Sequence, residues 1–143
     1  MDPMENMELI QRTQTSCHET ILIVEDDEPL LRLLRFFLSD EGYNVLSAST
    51  GEEAVDTYKK HRREIDLVLT DLGLPGLTGK DEILTLERIN PNVRIICASG
   101  YLDPNVKSEM FQAGAKAMIN KPYAPQEILQ KVRTVLESTD SGI

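Results

Sequence analysis

Short apolar runs alternate with amphipathic segments along the chain, and this alternation restricts the fold more than any other feature. The runs are rich in β-branched residues and end at polar or turn residues, which predicts strands at 21–24, 43–48, 67–70, 93–98 and 116–120. Strands that are separated by helices pair in parallel through right-handed crossovers. The sequence therefore predicts a three-layer α/β fold, (βα)5, with a doubly wound parallel sheet.

The segments between the runs predict five helices. Leucine and phenylalanine recur at helical spacing between Pro29, which suits a first turn, and Gly42, which suits a helix end. The second helix starts after Thr50, because Thr50 and Glu53 have the spacing of a capping box. The remaining helices are predicted at 79–88, at 104–113 and around the apolar positions Ile128, Leu129, Val132, Val135 and Leu136.

The chain has 143 residues, a length that fits one domain with its own core. Residues 1–18 are polar and aperiodic, so we expect a flexible leader or linker there, a domain at 19–138 and a short tail at 139–143. The neighbours Cys17 and His18 lack partners at the spacing of a zinc site. Cys17 and Cys97 also make a disulfide framework improbable, which favours a cytoplasmic location.

The net charge of −9 disfavours nucleic acid and anionic membranes as direct partners. The densest basic run, residues 59–63, follows an amphipathic segment, where cations favour a helix C-terminus. No apolar run reaches the roughly 20 residues that a membrane-spanning helix needs.

Polar groups follow four of the predicted strands. They are Glu25-Asp26-Asp27 after the first, Asp71 after the third, Ser99-Gly100 after the fourth and Lys121-Pro122 after the fifth. The carboxyl ends of parallel strands line one crevice, so these groups are expected to meet there.

The acids in this set predict a site for Mg²⁺, or for Mn²⁺ in its place. Hard oxygen ligands suit these ions, and Asp26, Asp71 and the backbone carbonyl of Gly73 are a sufficient protein contribution. An alternative for the first cluster alone is that its acids cap the next helix. The convergence with Asp71 and Lys121 favours the metal site.

Asp71 is the candidate nucleophile, because a carboxylate beside a cation can attack a phosphoryl group and form an aspartyl phosphate. Lys121 and the Ser99 hydroxyl are suited to neutralise or hydrogen-bond phosphoryl oxygens. The isomer of the Lys121-Pro122 bond stays open, because cis is accessible only before proline. The glycine-rich segment after Asp71 predicts a loop whose backbone can approach a ligand.

Residues 19–137 resemble the receiver domain of two-component response regulators. The resemblance is carried by Ile21-Leu22-Ile23-Val24-Glu25-Asp26-Asp27-Glu28-Pro29, Asp66-Leu67-Val68-Leu69-Thr70-Asp71-Leu72-Gly73-Leu74-Pro75, Ser99-Gly100-Tyr101 and Asn120-Lys121-Pro122-Tyr123. It implies a flavodoxin-like sheet of strand order 2-1-3-4-5. It also implies that a histidine kinase or a histidine phosphotransfer protein phosphorylates Asp71.

The resemblance implies roles for further residues of the crevice. Asp26 matches the acid that binds Mg²⁺ directly, and Glu25 matches the one that acts through water. Ser99 and Lys121 match the family's switch hydroxyl and its lysine. Phosphorylation in this family alters the face formed by the fourth helix, the fifth strand and the fifth helix, through which a downstream protein or a second copy binds.

The position of the family's switch aromatic holds Met118 here, which has neither a ring nor a hydroxyl. Gly100 and Tyr101 follow the switch hydroxyl, and Tyr101 is a candidate for modulating that surface or access to the phosphoryl group. Gly73, two residues after Asp71, offers no side chain to exclude an attacking water.

Two other functions are open to the same residues. A phosphohydrolase of the haloacid dehalogenase-like class also forms an aspartyl phosphate, but it needs a second acid at position 73, where this chain has glycine. A pseudo-receiver would dock partners without phosphorylation. The sequence favours a signalling phosphoacceptor, either stand-alone, an intermediate in a phosphorelay or a part of a hybrid kinase, over an enzyme.

Overall fold

The computed structural model describes residues 19–73 and 77–138. Strands and helices alternate throughout these ranges, as the sequence predicts. The elements are β1 (Thr20–Val24), α1 (Glu28–Asp40), β2 (Asn44–Ala48), α2 (Gly51–His61), β3 (Ile65–Asp71), α3 (Gly79–Ile89), β4 (Ile95–Ser99), α4 (Pro104–Ala113), β5 (Ala117–Asn120) and α5 (Pro125–Glu137).

The five described strands form one parallel sheet in the order β2-β1-β3-β4-β5, which confirms the predicted fold. The register places Val24 opposite Thr70, Asp71 opposite Ala98, and Ser99 opposite Asn120. The carboxyl ends of β1, β3, β4 and β5 therefore share one edge of the sheet. The predicted crevice residues lie at or just beyond these ends, and they are Glu25, Asp26, Asp71, Ser99 and Lys121.

Each face of the sheet supports its own hydrophobic cluster, because successive residues of a strand point to opposite sides. Leu22, Val68 and Ile95 pack with α2, α3 and α4 on one face. Ile21, Leu67 and Ile96 pack with α1 and α5 on the other. Helices cover both faces, so the domain has the three predicted layers.

The predicted strand ends differ from the observed ones by one or two residues. Tyr43 and Val93, predicted as strand residues, precede β2 and β4, and their amides bond to Leu38 and Asn90 carbonyls in turns. β3 is longer than predicted at both ends, because Ile65 pairs with Thr20 of β1 and Asp71 pairs with Ala98 of β4. Hydrogen bonding to the adjacent strands determines where each strand ends, whereas the sequence pattern shows only which residues are apolar.

The helix termini follow the predicted chemistry with one difference. Gly42 follows α1 with a φ of 102°, a left-handed conformation that glycine adopts easily. The Thr50 hydroxyl caps α2 by accepting from the Glu53 amide, but the Glu53 carboxylate accepts from Ser49 instead of closing the box on Thr50. The last turn of α2 is basic, as predicted.

Several predictions fall on residues outside the described ranges. They concern the leader at 1–18 with Cys17 and His18, the tail at 139–143, and the loop residues Pro75 and Gly76. Among the described helices, none is long and apolar enough to cross a membrane.

Candidate functional site

Asp71 is the last residue of β3, near the centre of the sheet edge. Its Oδ2 atom lies 2.7 Å from Nζ of Lys121, and its Oδ1 accepts a hydrogen bond of 2.9 Å from the Gly73 amide. The side chain is 13% exposed. Both carboxylate oxygens are thus held in place while the group stays accessible from the crevice.

Lys121 directly follows β5, and its amide donates to the Ser99 carbonyl, which brings the fifth strand end to the fourth. The Lys121–Pro122 peptide bond is cis. The ammonium also lies 3.3 Å from Oε1 of Glu25. Burial lowers the pKa of Lys121, but its ion pairs with Asp71 and Glu25 outweigh burial, so the pKa is raised and the cation is secure at neutral pH.

Glu25 follows β1 and is buried, with 3% of its surface exposed. Its Oε2 accepts from the Asp27 amide. Burial raises the pKa of Glu25; the Asp27 amide opposes that rise, the Asp71 charge adds to it, and Lys121 opposes it. The net direction is upward, so this carboxylate depends on its cationic and amide partners to carry its charge.

Glu25, Asp26 and Asp71 can each direct one carboxylate oxygen to a common point, because these atoms lie within 4.8 Å of one another. Oxygen donors in such a set fit Mg²⁺, which keeps several waters and needs few protein ligands. The structure therefore brings the three predicted acids together. The Gly73 amide is bonded to Asp71, and a metal-binding role for its carbonyl stays a prediction.

Asp27, the third acid of the first cluster, has a structural role. Its side chain caps α1 by accepting a hydrogen bond of 3.2 Å from the Leu30 amide. The capping alternative that the sequence left open thus applies to Asp27, while Glu25 and Asp26 face the crevice cluster.

Ser99 ends β4, but its hydroxyl is bonded within its own loop. It donates to the Tyr101 carbonyl at 3.1 Å and accepts from the Tyr101 amide at 3.0 Å. Tyr101 is 70% exposed, and a side chain at Gly100 would meet nothing within 4 Å. The surroundings of these residues are open, and their roles as switch and modulator stay predictions.

Met118 lies in β5 opposite Cys97 of β4 and packs, partly buried, against the cluster that contains α3 and α4. Its proposed switch role also stays a prediction. Tyr123, just after the cis proline, is half-buried beside the crevice, and burial raises the pKa of its hydroxyl to about 12. The phenol therefore remains protonated throughout the neutral range.

Glu82 is a residue whose importance was missed from the sequence alone. It is fully buried in the first turn of α3, and its Oε1 accepts a hydrogen bond of 3.1 Å from the Thr70 hydroxyl. The helical spacing of the sequence does indicate this burial, because position 82 lies four residues before the buried Leu86, on the apolar face of α3.

A family model for the response regulator receiver domain matches residues 21–133. The chain belongs to that family. The receiver domain is 34% identical over 118 residues to the cell cycle transcriptional regulator CtrA of Caulobacter vibrioides, covering 81% of this chain and 49% of CtrA. It therefore spans about half the length of that relative.

Two shorter proteins match over nearly their whole length. CheY of Thermotoga maritima is 33% identical over 116 residues, which are 80% of this chain and 95% of that protein. A solved CheX-CheY-BeF3-Mg complex from Borrelia burgdorferi superimposes with a TM-score of 0.80 at 30% identity, covering 84% of this chain and 90% of that one. The receiver domain thus has the fold and family of two-component signalling proteins.

Proposed function

We propose that this receiver domain accepts a phosphoryl group on Asp71, from a histidine kinase or a histidine phosphotransfer protein, in a Mg²⁺-dependent reaction. The observation that carries the proposal is the 2.7 Å contact between Asp71 and Lys121 inside the cluster of Glu25 and Asp26. A nucleophilic carboxylate, a cation and two further acids meet there at the end of the central strands.

In the proposed step, a carboxylate oxygen of Asp71 attacks the phosphorus of the donor. A bond forms between that oxygen and phosphorus, and the bond between phosphorus and the donor's histidine nitrogen breaks, its electron pair leaving with the nitrogen. The product is an acyl phosphate. Because Gly73 and Lys121 each hold one oxygen of Asp71, the nucleophile is oriented before the donor arrives.

Lys121 would stabilise the charge on the phosphoryl oxygens, as a compact cation already in contact with the reacting carboxylate. Glu25, Asp26 and Asp71, with the Gly73 carbonyl, would hold the metal, Glu25 through a water. Mg²⁺, when bound, would supply charge neutralisation at the phosphoryl oxygens. Mn²⁺ has the same preference for oxygen ligands and would substitute.

We further propose that the domain acts as a signalling module whose only covalent chemistry is its own phosphorylation and dephosphorylation. Ser99 lies at the end of β4, one residue beyond the strand position opposite Asp71. A turn of its hydroxyl from Tyr101 toward the phosphoryl group would reshape the loop before α4. The face of α4, β5 and α5, with Met118 in β5, would then present a changed surface to a downstream protein or a second copy.

The test is phosphorylation by acetyl phosphate with and without Mg²⁺, read by intact-protein mass spectrometry. The native chain is expected to gain one phosphoryl group only with the metal, and Asp71→Asn is expected to gain none. Asp56→Asn, an exposed acid of α2, is the matched control and should be labelled like the native chain. An adduct that persists in Asp71→Asn would place the acceptor elsewhere. No adduct on the native chain would favour a pseudo-receiver that only docks partners.

A further inference from the structure

Glu82 is completely buried, and its side chain has a single hydrogen-bond partner among the described residues. The residue is 0% exposed, the Thr70 hydroxyl is bonded to Oε1, and Oε2 has no hydrogen-bond partner among the described residues. No described cation forms an ion pair with it, and the buried α3 residues beside it, Ile83 and Leu86, are apolar. A carboxylate without a counter-ion in such a site is costly, so the uncharged acid is favoured.

The titratable groups that act on Glu82 are few. Within residues 19–73 and 77–138, those that interact with it electrostatically are Asp71, at the end of β3, and Cys97, in β4. Burial raises the pKa of Glu82 to about 7, the Thr70 hydrogen bond opposes this, and the Asp71 charge adds to it. Burial, aided by Glu82, raises the pKa of Cys97 to about 12, so the thiol stays neutral and contributes no competing charge.

The Thr70–Glu82 bond also joins the two ends of the loop that follows the proposed phosphoacceptor. Thr70 directly precedes Asp71, and the chain leaves Asp71 through Leu72 and Gly73 before it returns as α3. The ends are tightly packed, since a Cβ at Gly79 would lie 2.5 Å from a methyl carbon of Leu72. A change at Glu82 therefore reaches the end of β3 through a direct contact.

We propose that Glu82 is a positioning residue for Asp71: uncharged, it holds the first turn of α3 to the end of β3, and once charged, it opposes phosphorylation. This inference rests on the proposed phosphorylation of Asp71. A phosphoryl group replaces one negative charge by up to two. An ionised Glu82 would repel that added charge, and by linkage phosphorylation would make Glu82 harder to ionise.

The first experiment compares the steady-state labelled fraction of the native chain and Glu82→Gln at constant Mg²⁺ and acetyl phosphate. Glutamine can accept the Thr70 hydrogen bond but never ionises. From about pH 6 to about pH 8, labelling of the native chain is expected to fall by roughly fivefold more than that of Glu82→Gln. Asp81→Asn removes an exposed acid from the same turn and should keep the native profile.

Superimposable pH profiles of the native chain and Glu82→Gln would overturn the proposal. If Glu82→Gln does not fold, as judged by circular dichroism, Glu82→Met takes its place, because it too is neutral at every pH. A purely structural role would alter stability but leave the shape of the pH profile unchanged.

A second measurement separates this inference from the proposed function. Carbon-13 NMR of the side-chain carboxyl groups follows the ionisation of Glu82, assigned by its absence in Glu82→Gln. We expect a midpoint near neutral pH that moves lower in Asp71→Asn, since the Asp71 charge raises the pKa of Glu82. A midpoint in the ordinary range, or one that Asp71→Asn leaves unchanged, would overturn the coupling. If the native chain is unlabelled at every pH, the proposed function fails, and this midpoint still decides whether Glu82 senses Asp71.

Discussion

Two buried glutamates of this domain, Glu25 and Glu82, lie in opposite settings. Glu25 borders the crevice, where Lys121 and the Asp27 amide share its charge. Glu82 lies in the core, where one hydroxyl is its only hydrogen-bond partner in the part of the chain that the structure describes. Burial raises the pKa of both side chains, and that of Glu82 reaches about 7.

The difference shows that two buried carboxyl groups ionise differently when their hydrogen-bonding and ionic partners differ. A cation and an amide oppose the effect of burial on the pKa of Glu25, and a charged carboxylate is what the proposed metal site needs. A hydroxyl alone leaves the group close to neutral and sensitive to the charge of Asp71. Four substitutions, ordered by the size of the expected effect, would break or sharpen this comparison.

The largest effect is expected for Lys121→Met, which removes the cation of the crevice. Asp71 and Glu25 would lose their shared partner, and the rate of phosphorylation by acetyl phosphate should fall about a hundredfold, as when a transition-state donor is removed. The measurement is the initial rate of phosphorylation, followed by intact-protein mass spectrometry. Lys80→Met removes an exposed lysine of α3 and is the control. An unchanged rate would mean that Lys121 does not touch the phosphoryl group.

The second prediction is that Glu82→Met becomes more stable relative to the native chain as pH rises. The folded-state pKa of Glu82, about 7, exceeds the unfolded value of 4.5, so the folded state binds more protons between these values and native stability falls as pH rises through this window. Methionine removes that fall. The free energy of unfolding of Glu82→Met, relative to that of the native chain, should therefore rise by about 3 kcal/mol from low pH to pH values above 7.

Urea unfolding of both proteins across this range measures the gain from Glu82→Met. Asp81→Asn, in the same turn but exposed, should show no comparable growth. Parallel stability curves for the native chain and Glu82→Met would mean that Glu82 ionises normally in the core.

Thr70→Val should have a smaller effect, because it removes one hydrogen bond and nearly preserves volume. Leaving the Glu82 carboxyl group without a donor should cost about 1 to 3 kcal/mol at neutral pH. The NMR midpoint of Glu82 should also move to higher pH, since the Thr70 bond lowers its pKa. Thr85→Val, which removes a hydroxyl bonded to a carbonyl of its own helix, is the control and should leave the midpoint in place.

The smallest effect is expected for Glu109→Gln. Its ion pair with Lys80 joins α4 to α3 at 3.4 Å, but both side chains are about half exposed. Such pairs contribute little, so the free energy of unfolding should change by less than about 1 kcal/mol. A larger loss would indicate that the contact between α3 and α4 depends on this pair.

Much of the fold could be predicted from the sequence because its signals are local. Apolar runs and helical spacing identified all of the described strands and helices, and Pro29, Gly42 and Thr50 marked helix ends. Strand ends could not be placed to the residue, since they depend on which neighbour supplies hydrogen bonds. The extra residues at the two ends of β3 are paired with Thr20 of β1 and with Ala98 of β4.

The candidate site was predictable in its members but not in its contacts. Asp71, Lys121, Glu25 and Asp26 could be grouped because carboxyl ends of parallel strands share one edge. The bond of Ser99 to its own loop and the capping role of Asp27 depend on backbone angles that the sequence does not report. Glu82 was missed because an acid in a helix is usually exposed.

The sequence by itself determined the alternation of elements, the polar groups at the strand ends and the family, because these depend on local residue type and spacing. The tertiary structure alone decided which carboxyl group received a cation and which received a hydroxyl. That choice depends on distances between residues far apart in the chain, such as 25 and 121. Those distances set the local solvation and charge, and thereby the ionisation of Glu25 and Glu82.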